Sequence, residues 1–134
     1  MLVCFGASAL CVGIHFELAF QFGGYVVPRL RWKRFRSLVI VTIALFAHLI
    51  EICVFAATLY ISEAYLLLGS LRGPHSNSLL DYFYFSGVTF TTLGYGDFVP
   101  VGELRLIVAV EALVGLVLIA WTATITFFQM IRMN

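Results

Sequence analysis

Charge is what this chain has least of. Only 11% of its 134 residues are Asp, Glu, Lys or Arg, against 62% hydrophobic and 16% aromatic, and the mean hydropathy is +1.03. A soluble domain of this length needs a polar surface, and there is too little polar material to make one. The composition reads as an integral membrane protein of one domain. Cysteine is scarce too. Cys4, Cys11 and Cys53 all fall inside apolar runs, an odd count without CxxC spacing. That excludes a disulfide framework and a zinc knuckle and leaves three small buried hydrophobes. No nucleotide-binding loop and no nucleophile–base pair is present, so neither a pump nor an enzyme is expected. The first segment lacks a basic start and a small-x-small cleavage site, and reads as structure rather than a signal peptide.

What is present is a series of apolar runs. Residues 2 to about 27 form the first, interrupted by His15, Glu17 and Gln21. "RLRWKRFR" follows at 29–36 with five of the eight Lys and Arg residues. Residues 38–62 are apolar again, 63–78 carry turn and loop chemistry around Arg72, Gly73 and Pro74, and 104–129 form a third long apolar helix. About 20 apolar residues cross a bilayer, so three segments are long enough to span. "SLLDYFYFSGVTFT" at 78–91 is apolar but too short, and it begins like a helix, with Ser78 at the N-cap and Asp81 three residues on.

By the positive-inside rule the basic stretch and the C-terminus are cytoplasmic and the N-terminus is outside. Both ends of the 63–103 region then lie outside, so the short helix enters from the outer face and returns to it. Behind it stands "TTLGYGDF", residues 91–98. Non-helical backbone at membrane depth is tolerated only where it is buried in protein or lines a water-filled path. Gly94 and Gly96 can take positive φ and aim successive carbonyls the same way, and a ring of such carbonyls can replace a cation's hydration shell.

Thr89-Phe90-Thr91-Thr92-Leu93-Gly94-Tyr95-Gly96-Asp97 closely resembles the Thr-x-Gly-Tyr-Gly filter signature of potassium channels. The likeness runs from about residue 79 to about 120, with 38–62 similar to the outer helix. Hydropathy and the resemblance together give an all-α membrane fold with three transmembrane helices, one re-entrant pore helix and a filter loop. The chain then divides into an N-terminal transmembrane helix additional to the minimal two-helix channel (1–28), a basic cytoplasmic loop (29–37) and a pore domain (38–134). Within the pore domain the resemblance sets an outer helix at 38–62, an extracellular loop at 63–78, a pore helix at 79–91, a filter at 92–97 and an inner helix at 104–129. It further implies K+ held at Thr92, Leu93, Gly94 and Tyr95, with Gly96 closing the outer mouth. Asp97, Tyr84, Thr89 and Thr91 would support the filter, with Asp97 bonded to Tyr84 and the Tyr95 ring packed on pore-helix aromatics. Leu93 stands where relatives have Val or Ile, and Val88 where some carry a glutamate. Gly115 is either a hinge or a site of close helix packing, and Ile119, Ala123 and Phe127 are candidate pore-lining positions, with Phe127 as a hydrophobic gate. One filter loop is a quarter of a ring, so a homotetramer in the plasma membrane is implied, with K+ as the permeating ligand and no cofactor.

His15, Glu17, His48, Glu51 and Glu111 are ionisable groups within spans, and each is a functional suspect. His15, Glu17, His48 and Glu51 fall at similar depths, so Glu17 with His48 or His15 with Glu51 could pair, and His48 and Glu51 share a helix face. Structural pairing, a pH sensor acting on gating, and a metal site are all open. Glu111 either sits protonated behind the filter or pairs with a pore-helix group. Arg29, Arg31, Lys33, Arg34 and Arg36 lack the every-third spacing of a voltage sensor. They set topology and are placed to meet anionic lipid, with Trp32 and Phe35 beside them. The first helix is expected to pack peripherally. The resulting function is passive, potassium-selective conduction, with a weakly selective cation channel or a non-conducting regulatory subunit as alternatives.

Overall fold

The computed structural model describes residues 2–18, 33–74 and 78–132. Its order is α1 (Leu2–Phe16), α2 (Lys33–Ala64), β1 (Gly69–Arg72), α3 (Leu79–Phe90), β2 (Val99–Gly102) and α4 (Leu104–Arg132). Among the described residues, two helices are long and apolar enough to cross a membrane, over Phe35–Ala64 and Leu104–Ile131, with hydropathies of 2.6 and 2.4. At 1.5 Å per residue each is more than about 40 Å long. α1 has 15 residues, roughly 22 Å at that rise, which is shorter than a full span. Most of the continuation to residue 27 expected from hydropathy lies outside the described residues.

Two boundaries move relative to expectation. α2 begins at Lys33 rather than near 38, so Lys33, Arg34 and Arg36 stand on its first turns and not in a loop. Lys and Arg are good helix formers, and nothing in "KRFRS" breaks a helix. Arg29 and Arg31 lie outside the described residues. α4 runs on to Arg132, past the expected 129. α3 starts at a complete capping box: Ser78 Oγ accepts from the Asp81 amide and the Asp81 carboxylate accepts from the Ser78 amide.

The region expected to be only loop holds an antiparallel ribbon. β1 pairs with β2 in the register Gly69↔Gly102, Ser70↔Val101, Leu71↔Pro100 and Arg72↔Val99. The Leu71 amide donates to Glu63 Oε2 at 2.8 Å, and the Glu103 amide to the Leu68 carbonyl at 2.7 Å. The ribbon therefore ties the end of α2 to the start of α4, bracketing α3 and the loop behind it.

Packing runs in layers along the bundle. Toward the ribbon, Leu59 of α2, Tyr82 and Phe85 of α3, Phe98, and Leu104 and Ile107 of α4 form one cluster. Below it Phe55, Phe90 and Leu118 join Ala7 and Cys11 of α1. α1 turns its small side inward: Cys4, Ala7, Cys11 and His15, at helical spacing, are buried, while Leu2, Phe5, Leu10 and Phe16 face outward. Small residues between helices and large apolar ones outside are the arrangement suited to lipid, which gains nothing from burying leucine.

Candidate functional site

α3 stops where its polar residues begin to take its last carbonyls. Thr91 is its C-cap, and Thr91 Oγ1 donates to the Gly87 carbonyl at 2.7 Å. The Thr92 amide donates to the Thr89 carbonyl at 2.9 Å. The Leu93 and Gly94 amides both donate to the Val88 carbonyl, at 2.9 and 3.2 Å. The loop thus hangs its first three N–H groups back onto the helix end.

The backbone then alternates. Thr92, Gly94 and Gly96 have φ of 60°, 54° and 77°, while Leu93 and Tyr95 between them are not in the positive region. In an ordinary strand successive carbonyls point to opposite sides. Alternating the sign of φ turns every second peptide over, so carbonyls can line one side while amides face the other. Gly94 and Gly96 supply positive φ without penalty. A Cβ built on either would meet nothing within 4 Å, so the demand for glycine is conformational and not spatial. Thr92 was expected to offer oxygen ligands; its positive φ was not foreseen, because nothing in a threonine signals it.

The Tyr84 hydroxyl donates to Asp97 Oδ2 at 2.9 Å, bracing the loop against α3. The Tyr84 ring meets Phe98 edge-on at 6.0 Å. Tyr95 is 67% exposed and Leu93 57% exposed in the single chain. An open cavity of about 350 Å³ lies beside the loop, lined by Phe85, Val88, Thr89 and Ala112 among others.

Gly115 is a close-approach site. A Cβ there would fall 2.1 Å from the Phe90 carbonyl oxygen, so α4 crosses the end of α3 with only a hydrogen between them. Four residues toward its start, α4 buries Glu111, whose Oε1 contacts Ser86 Oγ of α3; Ser86 Oγ also lies 2.9 Å from the Ile52 carbonyl oxygen. Glu111 thus meets a pore-helix group, Ser86, as one of its two expected fates had it. Phe127 is 62% exposed and stacks edge-on with Phe128 at 6.1 Å; Ile119 and Ala123 are exposed on the same helix.

His15 and His48 converge on one carboxylate. Glu51 is fully buried, with Oε1 2.8 Å from His15 Nδ1 and Oε2 2.8 Å from His48 Nδ1. The alternative of Glu17 with His48 is not adopted: His48 Nδ1 is on Glu51, and Glu17 is exposed at the end of α1. The fourth participant was missed. Thr122 Oγ1 of α4 sits 3.2 Å from His15 Nε2 and 3.1 Å from His48 Nε2. A threonine within a membrane helix is too common to single out without knowing what it faces.

An ion channel family matches residues 47–132, taking in most of α2 and all of α3, the loop and α4. Among relatives, Protein LctB of Geobacillus stearothermophilus is 42% identical over 60 residues, 45% of this chain and 45% of that protein. Voltage-gated potassium channel Kch of Escherichia coli is 36% identical over 75 residues, 55% of this chain and 16% of its own length. Inward rectifier potassium channel Kirbac3.1 of Paramagnetospirillum magnetotacticum is 35% identical over 71 residues, 52% of this chain and 24% of its own. The matched stretch spans less than half of each of these proteins. No solved structure matches. A short capped helix, a loop of alternating backbone sign behind it and a family match across both flanking helices agree: the chain is a membrane protein and not an enzyme, and it belongs to the ion channel family.

Proposed function

We propose that the chain is one subunit of a potassium-selective channel, conducting passively through a filter made by four copies of residues 92–97. The observation that carries this reading is the alternation of backbone sign at Thr92, Gly94 and Gly96 directly behind a half-length helix. With the amides of Leu93 and Gly94 held by the Val88 carbonyl, the carbonyls of Thr92, Leu93, Gly94 and Tyr95 are free to face a common axis and stand in for water around K+. Two of the relatives above are named potassium channels.

A single chain supplies one wall, so the ring needs three more, and a closed homotetramer is the economical solution. The exposed Phe83, Tyr84, Leu93 and Tyr95 are then subunit contacts or pore walls, and the cavity beside the loop receives a neighbour's side chain. In this arrangement α2 and α4 span, α3 is re-entrant from the outer face, and α1 packs as a third, peripheral membrane helix. The N-terminus lies outside and the C-terminus in the cytoplasm of a plasma-membrane channel. The basic first turns of α2, an unfavourable sign for a helix N-terminus, would be compensated by anionic lipid headgroups.

The test is ion flux from liposomes holding purified protein under parallel K+ and Na+ gradients, repeated for Gly94→Asp. K+-selective flux abolished by the substitution is expected. Equal flux of both ions would replace this reading by a weakly selective pore, and no flux in either gradient by a non-conducting subunit.

A further inference from the structure

We propose that His15, Glu51, His48 and Thr122 form a binding site for one exchangeable proton, reached from the cytoplasmic end of the bundle, whose occupancy holds the inner helix. The gating half of this rests on the conducting-pore reading above; the proton-binding half does not.

The four side chains close a ring across three helices. Glu51 Oε1 and Oε2 meet the two Nδ1 atoms at 2.8 Å each, and Thr122 Oγ1 meets the two Nε2 atoms at 3.2 and 3.1 Å. Each of the four contacts requires one proton. Thr122 brings one, so the two imidazoles and the carboxyl must hold three between them. With Glu51 ionised, one histidine is cationic and the other neutral. With Glu51 protonated, both histidines are neutral. Either way the ring is uncharged and every contact is a hydrogen bond, which is what a site buried at membrane depth demands.

Removing one proton changes both properties. The ring takes a charge of −1, and if Glu51 keeps both Nδ1–H groups, both Nε2 atoms become acceptors facing a hydroxyl with a single proton. The lost bond is one of those to Thr122, the ring's only member on α4. Adding a proton instead leaves a buried charge of +1. A divalent cation on His15, His48 and Glu51, whose ligand atoms lie within 4.8 Å of one another, would also leave +1, with only three protein ligands. The proton is the occupant that leaves no charge behind.

Among the described residues, the ring's recorded hydrogen bonds involve no other ionisable side chain. From α1, Cys11 Sγ lies 3.8 Å from the Glu51 carbonyl oxygen, and Glu17 is at the exposed end of the helix. From α3, the Phe90 ring lies 5.8 Å from His48. From α4, Trp121 lies 5.5 Å from His15, and Glu111, about three turns away, is engaged with Ser86. Access comes from the other direction. A cavity of about 20 Å³, room for about one water, is lined by His15, Thr122, Thr126 and Gln129 in a wall otherwise of Leu, Ile and Ala side chains. Those α4 residues share one helix face, and Gln129 Oε1 is buried with no hydrogen-bond partner, an acceptor placed for a water on the way in.

With its fourth proton the ring keeps the lower half of α4 against α1 and α2, away from the proposed axis. Deprotonation releases it inward. Flux should therefore fall as internal pH rises.

Two readouts on the full chain test this. The first is nitrogen-15 NMR of labelled histidine in lipid nanodiscs, with His75→Asn leaving only His15 and His48. The expected result is one joint protonation step for both rings, moved or split by Glu51→Gln. Should that variant not fold, His48→Gln is expected to abolish the joint behaviour of His15. Independent titration of the two rings, unaltered by removing either partner, would overturn the site. Binding of one Zn2+ per chain, lost in His48→Gln, would overturn it in favour of a metal. The second readout is K+ flux against internal pH, expected to fall about 5-fold or more across the same step and to lose that dependence in Thr122→Val. Wild-type flux that is flat, or that rises with pH, overturns the gating half. Absence of flux at every pH refutes the conducting pore and with it the gating half, and the NMR step alone then judges the proton site.

Discussion

Single atoms decide the behaviour of three positions. At Gly94, φ of 54° is available to alanine only at a cost of about 1–2 kcal/mol, although there is room for the methyl. Gly94→Ala is expected to fold and assemble while losing most K+ selectivity, read as the ratio of K+ to Na+ flux. At Gly115 the constraint is space: with a Cβ 2.1 Å from the Phe90 carbonyl oxygen, Gly115→Ala must push α4 off α3. A loss of roughly 1–3 kcal/mol is expected, seen as earlier thermal unfolding in detergent. Ser86 has one proton and two oxygens in reach, the Ile52 carbonyl and Glu111 Oε1. Both contacts are hydrogen bonds only when Glu111 donates one of them. Glu111→Gln, which can donate through its amide, is expected to stay close to wild type in unfolding temperature, whereas Glu111→Ala leaves a cavity and an orphaned hydroxyl and should lose about 2–4 kcal/mol.

At the scale of elements, α3 is too short to be stable alone, with 12 residues against the dozen or more an isolated helix needs in water. It depends on its caps and its neighbours. Ser78→Ala removes one side of the capping box and is expected to cost about 1 kcal/mol, with hydrogen exchange in the first turn of α3 rising before that of α2 or α4. The Tyr84–Asp97 bond couples α3 to the proposed filter loop that follows it. Tyr84→Phe and Asp97→Asn should each alter flux, and the double variant should do little more than either single one, because the two groups act through one bond. Full additivity of the two effects would refute that coupling. The β1–β2 ribbon then holds the ends of α2 and α4 at a set distance around α3.

At the scale of the molecule, a single chain is half a surface. Residues 92–97, the aromatic edge of α3 and the Ile119, Ala123 and Phe127 side of α4 are exposed, in a protein with few charges to spare for solvent. Fourfold assembly would bury the first two and turn the third toward a shared path. Native mass spectrometry from detergent is expected to give a particle near four times the 15.0 kDa chain, and a monomer or dimer would argue against the pore. The exposed apolar side of α1, with Leu2, Phe5 and Leu10 outward, would remain outermost.

Membrane residence, the half-length helix, its cap at Ser78 and the filter signature are legible in the chain itself, because hydropathy, helix capping and a glycine-paced loop are properties of neighbours in sequence. The pairing of His15 with Glu51 could be proposed from depth alone, since antiparallel helices place residues equidistant from a turn at one level. What only the tertiary structure decided involves partners far apart in the chain. The ribbon joins four-residue strands some thirty positions apart, containing glycine and proline that read locally as loop. Thr122 acquires meaning only when α4 brings its hydroxyl between two imidazoles from other helices. Gly115 reads equally as a hinge or a contact until the Phe90 carbonyl is seen against it. A local pattern states which backbone shapes a segment can take; which atoms those shapes bring together is settled by packing, and here packing turned three separate ionisable residues and one threonine into a single closed ring.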